Sequence, residues 1–296
     1  MKYKIIASDF DGTLLTSKKN ITENTKGVLL DYKKKGYIIV GITARNLSSV
    51  KNVCDINIFN YLVLNNGAYV YNVEEAHGEH IGQIDIKYTE KIVNYFENKA
   101  TAIDICSTEK YYRYRSEITK PRPFSVKIQS IKEVQEPVCR INLFAKNTDE
   151  VMKFKEYIDS SFNMVDSVIM EDTDNKDTTK WITLNPKNLN KFSTLKQLCK
   201  KLNIKTEEVI FFGDGLNDLE IIQGVGFGIS MKNAVQEVKK KAKITILSND
   251  EDGIAEFLKK NISTLWYLYW QNTTCNYIIG IEIVRFNWLI LIPITK

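Results

Sequence analysis

The sequence predicts an α/β fold in which a parallel-sheet core is split by an inserted α+β domain. Three observations carry this. Short apolar runs alternate with helix signals through residues 1–82, the pattern of strands joined by crossover helices. The same alternation returns over residues 186–260. The stretch between them, residues 83–185, reads differently, as an α+β unit on an open-faced sheet. Residues 261–296 form a tail that follows neither pattern.

The first apolar run, Ile5–Phe10, ends in acids and reads as a strand. Thr22 caps a helix that runs to about Lys35, and Gly36 closes it. Tyr37–Ile42 is a second buried run, followed by a short helix near Leu47–Val53. Tyr61–Leu64 is a third, and Asn65-Asn66-Gly67 turns the chain into Ala68–Tyr71. His77 and His80 flank a glycine among charges, which reads as a solvated turn rather than a two-histidine metal site. Thr89–Lys99 predicts a helix, and Ala102–Cys106 with Tyr111–Arg115 a hairpin. Arg140–Ala145, Thr148–Ser160, Met164–Met170 and Trp181–Leu184 follow as strand, helix and two strands. A helix over Lys191–Leu202 precedes the apolar run Val209–Phe212. Short elements at Leu219–Gln223, Val225–Ile229, Ala234–Lys241 and Ile244–Leu247 lead to a last helix from Asp252-Gly253 to Lys260.

Composition narrows the function classes. Hydrophobic residues make up 44% and charged residues 26% of 296, which is ordinary for a folded globular chain. The net charge of +5 is spread thinly, and the lysine triplets Lys33–Lys35 and Lys239–Lys241 fall at helix ends, where cations suit the dipole. No nucleic-acid surface is expected, while a weak positive field favours small anions. Five cysteines, none spaced as a metal or redox pair, point to a reducing, cytoplasmic compartment. No signal peptide or membrane span is expected, because charges interrupt each apolar stretch, the tail included. The oligomeric state stays open.

The chemistry is written at strand ends. Asp9-Phe10-Asp11-Gly12-Thr13 follows the first strand, and ligands of an open parallel sheet bind at its carboxyl edge. Gly41-Ile42-Thr43-Ala44-Arg45 closes the second strand and offers a hydroxyl and a free N–H to a phosphate oxygen. Lys191 opens a late helix as a compact cation. Gly213-Asp214-Gly215-Leu216-Asn217-Asp218 follows Val209–Phe212. Each alone has a bland reading: a turn, a helix cap or a surface lysine. All four at one edge of one sheet do not.

These four segments resemble the signature motifs of the haloacid dehalogenase superfamily. Asn66-Gly67-Ala68, Ser230-Met231-Lys232-Asn233-Ala234 and Ser248–Gly253 resemble its class IIB, Cof-like phosphatases. The resemblance covers residues 1 to about 260. It implies a Rossmann-like core, a mobile cap that closes over the substrate, Mg²⁺, and a small phosphorylated metabolite as substrate. Asp9 and Thr43 lie too close in sequence for a cap between them, so the insertion before Lys191 is the cap. By the same resemblance Asp9 is the nucleophile and Asp11 the general acid and base. Asp9, the Asp11 carbonyl and Asp214 hold Mg²⁺, while Thr43, the Ala44 N–H, Lys191 and Asn217 hold phosphate oxygens. Asp218 braces the loop or Lys191, with direct metal contact the alternative. Ala44 departs from the glycine of many relatives, which is harmless only if that backbone needs no positive φ.

A carboxylate attacking a phosphate ester meets repulsion of about 4 kcal/mol per charge pair at 4 Å and an effective dielectric near 20. Metal and lysine must offset this. Asp11 needs a pKa raised by its acidic neighbours to begin protonated. The cations and tyrosines of Lys110–Arg115 and the basic run Lys120–Phe124 are candidate contacts to a sugar phosphate or a flat phosphorylated cofactor. A catalytically quiet metabolite-binding protein and a sugar phosphotransferase or mutase on the same fold are the alternatives. The tail is expected to be dispensable for turnover.

Overall fold

Ile5–Asp9 (β1) is buried along its whole length, as a strand covered on both sides must be. The computed structural model describes residues 2–116, 125–171 and 180–260. Glu23–Lys34 (α1) starts where Thr22 Oγ1 accepts the Thr25 N–H, and ends before Gly36 at φ 88°. Ile38–Ile42 (β2), Leu47–Val53 (α2), Tyr61–Leu64 (β3) and Tyr69–Asn72 (β4) follow. His77–His80 is a fifth strand (β5), not the solvated turn expected. It pairs antiparallel with β4, with the reversal made by Ala76 at φ 50°. The His80 ring packs on Tyr69 at 4.8 Å between centroids, which explains why a polar tetrapeptide holds an edge position.

The inserted unit comprises Ile86–Phe96 (α3), Ala102–Cys106 (β6), Tyr111–Ser116 (β7), Ser125–Ile128 (β8), Arg140–Phe144 (β9), Thr148–Ser161 (α4), Val165–Glu171 (β10) and Lys180–Pro186 (β11). The helix α3 begins earlier than its apolar spacing implied, because Asp85 caps it by accepting the Lys87 and Tyr88 N–H groups. The chain then returns through Lys191–Lys201 (α5), Val209–Gly213 (β12), Leu219–Gly224 (α6), Phe227–Met231 (β13), Gln236–Lys241 (α7), Ile244–Ile246 (β14) and Gly253–Lys260 (α8).

Two sheets result. The first runs β14-β13-β12-β1-β2-β3-β4-β5, parallel from β14 to β3 and antiparallel beyond. Strands β1 and β12, far apart in sequence, are hydrogen-bonded neighbours in register Ile5↔Val209. The second sheet runs β10-β11-β9-β6-β7-β8. Its two faces differ because side chains alternate along each strand. Ile103, Ile105, Ile141, Leu143, Ile182 and Leu184 face one way and pack with Ile92 and Phe96 of α3 and Val151 and Ile158 of α4. Asp104, Arg140, Asn142 and Thr183 take the alternate positions, which gives the sheet a polar face. Asn66 Nδ2 donates to Asn185 Oδ1 at 3.2 Å, and Leu47 N donates to Thr108 O at 3.0 Å, so the two sheets meet near the ends of β2 and β3.

Lys120–Phe124 and the tail from Asn261 lie outside the described residues. No helix among the described residues is long and apolar enough to cross a membrane. Cys54, Cys106, Cys139 and Cys199 form no disulfide.

Candidate active site

The carboxyl ends of β1, β2 and β12 share one sheet edge because these strands are parallel. Asp9 closes β1 and is 6% exposed. Lys191 Nζ donates to Asp9 Oδ1 at 2.6 Å and to Asp218 Oδ1 at 2.9 Å. Asp218 Oδ2 accepts the backbone N–H groups of Asp214 and Gly215 at 3.1 and 3.2 Å. Thr13 Oγ1 donates to Asp214 Oδ1 at 2.6 Å. One carboxylate oxygen from each of Asp9, Asp214 and Asp218 lies within 4.8 Å of the others.

Local backbone chemistry fixes each group. Gly12 sits at φ 79°, and a Cβ there would lie 2.3 Å from Asp214 Oδ2, so glycine lets the β1 loop approach the β12 loop. Lys191 opens α5, whose Asn190 side chain caps the Ser193 N–H at 2.8 Å. Asn65, Asn66 and Gly67 have φ of 50°, 58° and 105° in succession. This left-handed turn delivers Gly67 O to Thr194 Oγ1 at 2.8 Å, which pins the start of α5.

Electrostatics show what the cluster lacks. Three carboxylates surround one ammonium. Burial pushes the Asp9 carboxyl well above its ordinary value; Lys191 opposes this, and Asp218 and Asp214 add to it. Burial likewise lifts Asp214 to about 6, with Thr13 opposing and Asp218 adding. Burial alone would lower Lys191, but Asp218 and Asp9 outweigh it and hold the ammonium protonated. A hard oxygen donor set short of positive charge fits Mg²⁺. Asp218 is committed to Lys191 and two backbone N–H groups, so Asp9 and Asp214 are the side chains that would hold the ion.

Asp11 differs from expectation. Arg45 Nε and Nη2 clamp its two oxygens at 2.8 and 2.7 Å, and Lys19 Nζ lies at 3.2 Å. Burial raises its pKa, but the Arg45 hydrogen bonds and charge and the Lys19 charge outweigh that, so the value falls below the ordinary one. Acidic neighbours do not govern it. The role of Arg45 went unassigned in the sequence reading, although it is the charged residue nearest the Thr43 hydroxyl in the chain.

Thr43 is buried, and its Oγ1 accepts the Arg45 N–H at 3.1 Å. Ala44 lines the cleft and is absent from the positive-φ positions, so the extra methyl causes no strain. Asn217 lies in the turn Leu216–Asp218, exposed, and its side chain makes no hydrogen bond among the described residues. The structure therefore brings Lys191 into contact with Asp9 and Asp218, and Asp214 within 4.8 Å of both acids, with Asp11, Thr43 and Ala44 nearby.

A cleft of about 380 Å³ opens from Asp11 and Ala44 toward the polar face of the second sheet, where Tyr111, Arg140, Asn142 and Trp181 line it. Of the run Lys110–Arg115, Tyr111 lines this cleft. Lys110 instead pairs with Glu136 at 3.3 Å, Arg113 is buried against Asp104 at 2.7 Å, and Tyr112 and Tyr114 belong to the apolar core. Arg140 and Asn142 were missed. The signal was there: Arg140-Ile141-Asn142-Leu143 alternates polar and apolar, which places both polar side chains on one face.

Comparisons with known proteins give the family. A family model described as haloacid dehalogenase-like hydrolase matches residues 6–258. The 5-amino-6-(5-phospho-D-ribitylamino)uracil phosphatase YitU of Bacillus subtilis is 27% identical over 271 residues, covering 88% of this chain and 97% of that protein. Phosphatase YwpJ of the same organism is 26% identical over 289 residues, covering 86% and 99%. The crystal structure of a haloacid dehalogenase-like hydrolase from Bacteroides thetaiotaomicron superposes with a TM-score of 0.76 at 22% identity, covering 88% and 99%, which shows the fold. The chain is an enzyme that belongs to the haloacid dehalogenase-like hydrolase family.

Proposed function

We propose that this protein is a Mg²⁺-dependent phosphatase of small phosphorylated metabolites, acting through an aspartyl-phosphate on Asp9. The observation that carries the reading is the ammonium of Lys191 shared by Asp9 and Asp218, which joins three distant segments at one buried point. Nothing in a merely structural ion pair calls for a third carboxylate, Asp214, within 4.8 Å. The names of the relatives, phosphatases over nearly their full length, support the same activity.

Each residue has a step. Asp9 Oδ1 is held by Lys191, which leaves Oδ2 to attack phosphorus along the cleft. Lys191 steadies the negative charge that gathers on the phosphoryl oxygens, and Thr43 Oγ and the Ala44 N–H add hydrogen bonds. Mg²⁺ bound by Asp9 and Asp214 would supply the remaining positive charge against the ester. Asp11 protonates the leaving oxygen and then takes a proton from the water that opens the aspartyl-phosphate. For the first of these Arg45 and Lys19 must release it, and phosphate oxygens compete for those two cations. The second sheet serves as the cap that encloses the leaving group.

The test is phosphate release from a panel of phosphate esters, with Mg²⁺ and with a chelator. Turnover is expected with the metal and loss of turnover without it. Asp9→Asn should lower turnover by roughly 10⁴-fold or more while leaving the fold unchanged by circular dichroism. Equal turnover in chelator, or an active Asn variant, would overturn the proposal.

A further inference from the structure

Arg140 is a buried guanidinium with no acid among the described residues paired to it. It opens β9, is 6% exposed, and lines the cleft together with Asp11 and Arg45. Its buried Nε has no hydrogen-bond partner, the Cys106 thiol is the neutral group that engages the guanidinium, and among the described residues no carboxylate forms an ion pair with it. The other arginine of this face is matched: Arg113 Nε and Nη2 bind Asp104 at 2.7 and 2.8 Å. Around Arg140 stand the thiols of Cys106 and Cys139 and the phenol of Tyr111, not carboxylates. Burying a charge unpaired is costly, and a fold keeps such a group where a ligand supplies its partner.

The surroundings are built rather than accidental. Asn142, two residues along the same face, donates through Nδ2 to Cys106 Sγ at 3.5 Å. Its Oδ1 accepts from Thr183 Oγ1 at 2.9 Å. These bonds fix the floor beside Arg140, and Trp181 and Tyr111 add aromatic surface to the cleft. Arg45, the neighbouring cation from the first sheet, is occupied by Asp11. Among the described residues, Arg140 is thus the cleft arginine without a carboxylate partner.

We infer that Arg140 receives a second oxyanion carried on the leaving group, so that the favoured substrates are phosphate monoesters bearing a further carboxylate or phosphate. This rests on the phosphatase reading. The phosphoryl group to be transferred sits at Asp9, and the second anion sits against the inserted sheet across the same cleft. A volume of about 380 Å³ suits a compact metabolite that spans both.

Matched pairs test it. In turnover, 3-phosphoglycerate is compared with glycerol 3-phosphate, and fructose 1,6-bisphosphate with fructose 6-phosphate, which separates a carboxylate from a phosphate as the second anion. In binding, ω-phosphonocarboxylates of two to five carbons are compared with alkylphosphonates of equal length by calorimetry, with no turnover needed. Wild-type protein is expected to favour the doubly anionic member of at least one pair by roughly 10- to 100-fold, the range of a charge-assisted hydrogen bond. Arg140→Gln should erase that ratio and Arg140→Lys retain part of it; a general loss of folded protein cancels within a pair. No preference in any pair, or a preference that survives in Arg140→Gln, overturns the inference. Silence of the whole turnover panel counts against the phosphatase reading, and the phosphonate series then decides the anion site by itself.

Discussion

Lys191 occupies the first position of α5, where the helix dipole repels a cation. It stays there protonated because Asp9 and Asp218 lie within 2.9 Å, and its burial makes their attraction strong. The position is legible in the sequence because a lysine at a helix start is useless to the helix and useful to an anion. Asp9, Asp214 and Asp218 are legible for a related reason: each follows an apolar strand at its carboxyl end. The Arg45 clamp on Asp11 is not, since pairing across 34 residues leaves no local pattern. Gly12 carries a residue-scale prediction. With φ at 79° and a Cβ position 2.3 Å from Asp214 Oδ2, Gly12→Ala must push Asp214 away. Turnover should fall about 100-fold or more, with a smaller loss of stability of roughly 1 kcal/mol from the left-handed backbone. Steady-state kinetics beside a thermal melt measure both; unchanged kcat in the alanine variant would contradict the placement.

Asp252 shows how a local signal can be right about an element and wrong about a side chain. The sequence reads it as the start of α8, and its carbonyl does accept the Glu256 N–H. Its carboxylate, however, reaches α1, accepting from Thr22, Asn24 and Thr25. Tyr32 of α1 adds a bond to Leu258 O at 2.9 Å, so the two helices are tied at both ends. Burial raises the Asp252 pKa, but these three hydrogen bonds outweigh it and lower the value. A carboxylate with a depressed folded pKa stabilises the protein above its unfolded pKa near 3.9, and the benefit fades as pH falls through the folded value. Asp252→Asn should therefore cost about 1–2 kcal/mol at pH 7, and the difference should shrink as pH falls below the ordinary carboxylate value near 3.9. Melts across that range check it; a pH-independent difference would be the wrong result. The strands β1, β2, β3 and β12 were legible as continuous apolar runs, whereas β5 was hidden because a solvent-facing edge strand need not be apolar.

At the scale of the molecule, the first sheet carries Asp9 and its neighbours at one edge, and the polar face of the second lines the cleft beside Asp11. Asn65 Nδ2 to Ser107 O, Asn66 Nδ2 to Asn185 Oδ1 and Leu47 N to Thr108 O join the two near the site. The insertion was legible from its change of periodicity. The polar face it turns to the cleft was not, because Arg140 and Asn142 look like ordinary strand residues until the sheet is assembled. The family match ends at residue 258, ahead of the tail. Truncation after Lys260 should keep kcat/KM within about threefold of the full chain, a change below roughly 1 kcal/mol; an inactive, folded truncate would contradict this.

In the proposed reaction Asp9 is the nucleophile that accepts and carries the phosphoryl group. The direct measurement is mass spectrometry on enzyme quenched in acid within one turnover, with Mg²⁺ and a substrate from the panel. The mass of one phosphoryl group on the peptide containing Asp9, discharged on longer incubation and missing in Asp9→Asn, is the result predicted. Phosphate release without any transient label on that peptide would contradict it.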